Sequence, residues 1–215
     1  MTELVPVPSP GVPLYYGEPG NPVVVVLHDM YGRLPALDSF ASALASRGFR
    51  VAVPDLYEGV CTTDADTARG LMARLDVATA LAEVDDTVVE AQDTGVERVG
   101  LVGFSLGGWL SLLHAQAGAV DAVVTYYASL AEKDHGVVPC PVLLHWAETD
   151  EWSATERPEQ FVARLKDHGT PVTEHTYIGT RHNFANASLP TAIDAQAAAV
   201  AFARTAVFCE QQLID

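Results

Sequence analysis

A succession of short, uninterrupted apolar runs limits what this chain can fold into more than any other feature. Val23, Val24, Val25, Val26 and Leu27 follow one another with no polar residue between them and lead into His28. A strand that is apolar at every position needs both faces covered, as in a parallel sheet packed between helices. The same signature recurs at 50–54, 99–102, 122–126 and 142–146, with a more alternating version at 172–178. Helical patterns separate these runs. Leu37, Phe40, Ala41, Leu44 and Ala45 follow the i, i+3, i+4, i+7 rule and stop before Gly48, a natural helix terminator. Residues 68–93 predict a longer helix, and 107–117, 157–168 and 190–210 predict three more. Strands alternating with helices imply an α/β fold, a mostly parallel twisted sheet with helices on both faces. No linker interrupts the pattern, so residues 1–215 read as a single domain. The Pro-rich opening, 6–22, reads as a surface lead-in with a short edge strand within 12–16.

Composition removes several classes of partner. Twelve Lys and Arg against 28 Asp and Glu give 12 − 28 = −16, which repels nucleic acid and anionic membranes alike. Much of that acidity falls in 68–93, where Asp76, Glu83, Asp85, Asp86, Glu90 and Asp93 face only Arg69 and Arg74, as on a solvated helix face. Hydrophobic residues make up 49% of the chain, enough for a substantial core. No apolar stretch approaches the ~20 residues that span a bilayer. Met1 to Pro6 lack a basic region followed by an apolar block, so the expected location is cytoplasmic. Cys61, Cys140 and Cys209 are odd in number, widely spaced and without a CxxC, the pattern of reduced, packed thiols rather than a disulfide framework or metal site.

The run at 99–102 enters Gly103-Phe104-Ser105-Leu106-Gly107, a G-x-S-x-G that leaves into a helical pattern. That is the context of a nucleophile elbow, a sharp turn holding Ser105 at the end of a strand with no room for side chains at Gly103 and Gly107. A serine hydroxyl needs a base, and the base needs an orienting acid. After the elbow, the strand at 142–146 runs into Glu148-Thr149-Asp150-Glu151, and the strand at 172–178 runs into Arg181-His182-Asn183. Both loops fall at the carboxyl edge of the sheet, where open α/β sheets gather their functional groups. Asp150 and His182 are therefore the candidate acid and base, in the order serine, acid, histidine. His114 falls in a helix, His145 and His175 in strands, His168 at a helix end and His135 in a polar loop, while His28 precedes the serine.

Leu27-His28-Asp29-Met30-Tyr31-Gly32, Pro54-Asp55-Leu56-Tyr57, the elbow, Glu148-Thr149-Asp150 and His182-Asn183-Phe184-Ala185 occur in that order. Together they resemble the dienelactone hydrolase family of α/β-hydrolases. The resemblance implies a compact hydrolase without a cap domain or cofactor, acting on small esters or lactones through a Cys-His-Asp or Ser-His-Asp triad, with Ser105, His182 and Asp150 in those places. Dienelactone hydrolases proper carry Cys in the elbow and Glu in the loop after the first buried strand, where this chain has Ser105 and Asp29. They also hold a substrate carboxylate with arginines, one after the Asp-Leu-Tyr motif and one after the catalytic histidine. Here those stretches read Glu58-Gly59 and Ala185-Asn186, and Arg181 is the nearest remaining cation.

The chemistry expected is acyl transfer, with backbone N–H groups of Leu106 and Met30 as the oxyanion hole. Only 127–140 separates the strand ending near Tyr126 from the one beginning near Pro141, too little for a cap. The pocket is then open and lined by loop residues, the candidates being Asp29, Tyr31, Tyr57, Trp109, Arg181 and Phe184, with Tyr127 and Trp152 beside them. Singly, each aromatic also reads as core. A thioesterase or a true dienelactone hydrolase on the same triad is the alternative within the class, and a non-catalytic binding protein the alternative outside it. Dinucleotide binding needs G-x-G-x-x-G after an early strand, and His28-Asp29-Met30-Tyr31-Gly32 stands there instead. The partner expected is a small ester or lactone, for a monomer or a dimer.

Overall fold

The computed structural model describes residues 4–5, 11–152 and 158–214. Its elements are β1 (Leu4–Val5), β2 (Leu14–Tyr16), β3 (Val23–Leu27), α1 (Pro35–Ala45), β4 (Arg50–Val53), β5 (Cys61–Thr62), α2 (Ala65–Arg74), α3 (Val77–Asp93), β6 (Val99–Phe104), α4 (Leu106–Ala115), β7 (Ala122–Tyr126), β8 (Val142–Thr149), α5 (Pro158–Asp167), β9 (Val172–Arg181) and α6 (Ala195–Leu213). A seven-stranded sheet runs in the order β2-β4-β3-β6-β7-β8-β9, parallel throughout except for β2, which lies antiparallel on β4. Strands β1 and β5 form a separate two-stranded ribbon.

Successive side chains of a strand point to opposite faces, and β3 divides accordingly. Val23, Val25 and Leu27 enter one core with residues of α3, α4 and α5, while Val24 and Val26 enter the other with α1 and α6. The sheet thus has helices on both faces, as the apolar runs require. Between β7 and β8 stands only a 3-10 turn at Glu132–Asp134, so no cap domain is inserted there.

Four elements depart from the expected pattern. The helix at 68–93 is two helices, broken where Leu75 is extended (φ −62°, ψ 125°) and Asp76 caps α3 by accepting the Thr79 N–H at 2.8 Å. Periodicity alone cannot see that break, because apolar residues continue through it. The last helix begins at Ala195, not 190, since Asp194 accepts the Ala197 N–H at 2.9 Å and residues 190–194 are turns and irregular chain. Strands β8 and β9 outrun their apolar cores, pairing as far as Thr149 opposite Arg181 across a bulge. Their polar ends read as loops because both stand at an exposed margin. Within 6–22, residues 6–10 lie outside the described residues, as does the predicted start of a helix at Arg157. No helix among the described residues is long and apolar enough to cross a membrane.

Candidate active site

Ser105, Asp150 and His182 each come immediately after a parallel strand, β6, β8 and β9 respectively. The shared strand direction therefore delivers all three to one edge of the sheet. Ser105 has φ +49° and ψ −110°, a conformation that side chains seldom adopt. The turn is held by its surroundings. A Cβ on Gly103 would lie 2.3 Å from the Gly107 carbonyl oxygen, and one on Gly107 would lie 2.4 Å from that of Leu27. Only hydrogen fits at either position, and the Ser105 N–H is anchored by donating to the Tyr126 carbonyl at 2.9 Å.

Ser105 Oγ lies 2.7 Å from His182 Nε2, and His182 Nδ1 lies 2.8 Å from Asp150 Oδ2. The second carboxylate oxygen of Asp150 accepts the Trp152 N–H at 3.0 Å, so the loop that carries the acid also fixes its rotation. The side chains of His182 and Asp150 are 10% and 9% exposed, sheltered enough for a charge-assisted bond yet open to a small molecule. Tyr127 packs its ring 4.7 Å from the imidazole on one side, and Trp152 lies 5.9 Å away. Helix α4 begins at Leu106, so its first-turn N–H groups and positive end lie beside Ser105. The loop carrying His28 and Met30 presses on the same turn, as the Gly107 contacts with Leu27 and His28 carbonyls show.

Several motif residues serve the scaffold. His28 is buried, its Nδ1 2.7 Å from the Asp29 carbonyl and its Nε2 accepting the Leu56 N–H at 3.1 Å; burial lowers its pKa to about 4. The ring is consequently neutral, with the proton on Nδ1. Asp55 forms a fully buried ion pair with Arg33 at 3.8 Å and accepts the N–H groups of Gly11 and Gly59. The three cysteines are buried, and burial pushes their thiols up, Cys61 to about 11 and Cys140 and Cys209 to about 12, far from nucleophilic poise.

Asp29 is buried, accepting the Tyr31 N–H at 2.9 Å and the Asn186 amide at 2.8 Å, and loss of hydration raises its carboxyl to about 6. Asn186 stands in the stretch shortly after His182, and its amide is committed to Asp29. That bond ties the loop carrying Met30 to the loop carrying His182. Asp29 borders a hollow of about 30 Å³, too small for an ester. A separate cavity of about 350 Å³ reaches Ser105 and His182, and of the candidate pocket residues Trp109, Tyr127 and Trp152 line it. Tyr31 and Phe184 are packed in core clusters, Tyr57 borders another hollow with Glu58 and Arg74, and Arg181 is exposed on β9. Sequence reasoning overlooked Met72, Leu75, Val77 and Trp146 in the cavity wall. The Asp76-Val77-Ala78-Thr79 capping signature was the available clue that a helix end lies there.

Comparison with known proteins bears on the family and the fold. The profile of the Dienelactone hydrolase family matches residues 13–213. Protein usf of Aquifex pyrophilus is 28% identical over 90% of each chain, and a carboxymethylenebutenolidase of Rhodococcus opacus is 30% identical over 88% of this chain and 81% of that one. A crystal structure of a putative dienelactone hydrolase from Klebsiella pneumoniae shares the fold, with a TM-score of 0.76 at 19% identity over 98% of both chains. With its seven-stranded sheet, its elbow and a family match running nearly end to end, the chain belongs to the dienelactone hydrolase family, hydrolases of the α/β-hydrolase fold.

Proposed function

We propose that this protein cleaves carboxylic esters or lactones through an acyl-enzyme on Ser105. One observation carries the reading: the strained Ser105 is hydrogen-bonded to His182 at 2.7 Å, and His182 in turn to Asp150 at 2.8 Å. Ser105 Oγ attacks the carbonyl carbon while His182 Nε2 takes the hydroxyl proton, and Asp150 stabilises the imidazolium through Nδ1–H. Leu106 and Met30 N–H groups receive the oxyanion, where one such donor is typically worth ~10²–10³ in kcat. Collapse breaks the bond to the leaving alcohol, which departs with the proton from His182. Water, deprotonated by the same nitrogen, then releases the acid and restores Ser105. A relative named carboxymethylenebutenolidase supports lactones beside open-chain esters as substrates.

The Ser105→Ala variant should lose at least about 10⁴-fold in kcat/KM on p-nitrophenyl acetate, and a fluorophosphonate probe should label native protein at Ser105 alone. Unchanged hydrolysis by the variant, or a folded native protein that resists the probe, overturns the assignment.

A further inference from the structure

The 350 Å³ cavity above Ser105 is walled by segments far apart in the chain. Trp109 comes from α4, Trp146 from β8 and Trp152 from the loop after Asp150, while Met72, Leu75 and Val77 come from the junction of α2 and α3. The break at Leu75 and Asp76 is what brings apolar residues from two helices to one wall. The Trp146 indole N–H is used elsewhere, donating to Glu174 at 3.2 Å, and Asp76, between Leu75 and Val77, caps α3. Among the described residues, the wall contains no Lys, Arg, Asp or Glu. Asn186 is committed to Asp29, and Arg181 is not part of the wall. A carboxylate entering this space would lose its hydration and meet no lysine or arginine among the described wall residues, whereas an aliphatic or aromatic group would lose contact with water to its advantage.

We infer that the cavity selects neutral esters, receiving an uncharged apolar substituent and rejecting one that bears a carboxylate. The inference rests on the reading of Ser105 as nucleophile and names the substrate class of that site. Val77, at the rim and 37% exposed, is the position from which the preference can be reversed.

The test compares p-nitrophenyl butyrate with p-nitrophenyl hemiglutarate, which share a leaving group and differ by a terminal carboxylate. At pH 7.5 the native protein should prefer the butyrate by at least about 100-fold in kcat/KM. Val77→Arg should narrow that ratio at least tenfold, chiefly by raising the rate on the hemiglutarate. Equal rates on both esters in native protein labelled at Ser105 would overturn the inference and leave the serine mechanism standing, as would a folded Val77→Arg variant with an unchanged ratio. No turnover of either ester, with no fluorophosphonate adduct, would overturn both.

Discussion

His28 and Asp29 are neighbours in the chain, both buried, and burial moves their titrations in opposite directions. His28 falls from 6.5 to about 4, so between those values the unfolded chain binds a proton that the folded one refuses, and acidification destabilises the fold. Asp29 rises from 3.8 to about 6, so the folded chain binds the extra proton and acidification relieves a burden. Each effect amounts to about 3 kcal/mol when complete, so the pair largely offsets itself. His145 has no such neighbour. It is buried, in contact with Thr205 and Tyr177, and its pKa is held well below the usual histidine value by desolvation, then by His175 and Arg204. Stability measured by urea unfolding should therefore fall from pH 7 to pH 5, with the His28 and His145 ring resonances not titrating over that range. A flat profile would contradict the assignment of His145 as neutral, and a ring resonance that titrates in this range would contradict that ring's assignment. The convergence of Ser105, Asp150 and His182 was legible because each follows a parallel strand at the sheet's carboxyl edge, two of these strands apolar runs and the third alternating. Asp29 was legible as a departure from a family motif but not as a tie between loops, since its partner Asn186 lies 157 positions away.

Helix α6 shows what joins one element to the sheet. Thr205, fully buried on its inner face, lies 2.7 Å from the Tyr126 hydroxyl of β7 and 3.0 Å from His145 Nε2 of β8, and His145 Nδ1 meets the Tyr177 hydroxyl of β9 at 2.8 Å. One threonine thereby satisfies polar groups from two strands inside an otherwise apolar layer. Thr205→Val keeps the shape and leaves two buried groups unpaired, a loss of about 3 kcal/mol by urea unfolding. Thr205→Ser keeps the hydroxyl and should lose only about 1 kcal/mol for its methyl. Equal losses would show that packing, not the network, matters there. Apolar spacing foretold a helix in this region but not its attachment, because the bonds of Thr205 are decided by strands 60 and 79 residues earlier. The break between α2 and α3 was hidden for a different reason: its only signal is one capping aspartate inside a continuous amphipathic pattern.

At the scale of the whole molecule, alternating runs foretold a parallel sheet covered on both faces, since each strand declares its own burial. The cavity could not be foretold in that way, as Met72, Trp109, Trp146 and Trp152 meet only once the sheet and helices are assembled. The net charge of −16 acts on the same cavity from a distance. At about 0.01 M salt the Debye length is ~30 Å, comparable to the protein itself, and at 0.15 M it is ~8 Å. The summed field therefore repels an approaching anion at low salt and is mostly screened at higher salt. For the proposed esterase, kcat/KM on p-nitrophenyl hemiglutarate should rise several-fold between about 10 and 300 mM NaCl, while that on p-nitrophenyl butyrate stays level. The two sources of discrimination separate in this titration, because screening removes the long-range repulsion but not the cost of desolvating a carboxylate against tryptophan and leucine. Preference for the butyrate that persists at 300 mM salt belongs to the cavity wall. Preference that vanishes there would assign the selectivity to the acidic surface, with α2 and α3 contributing charge rather than shape.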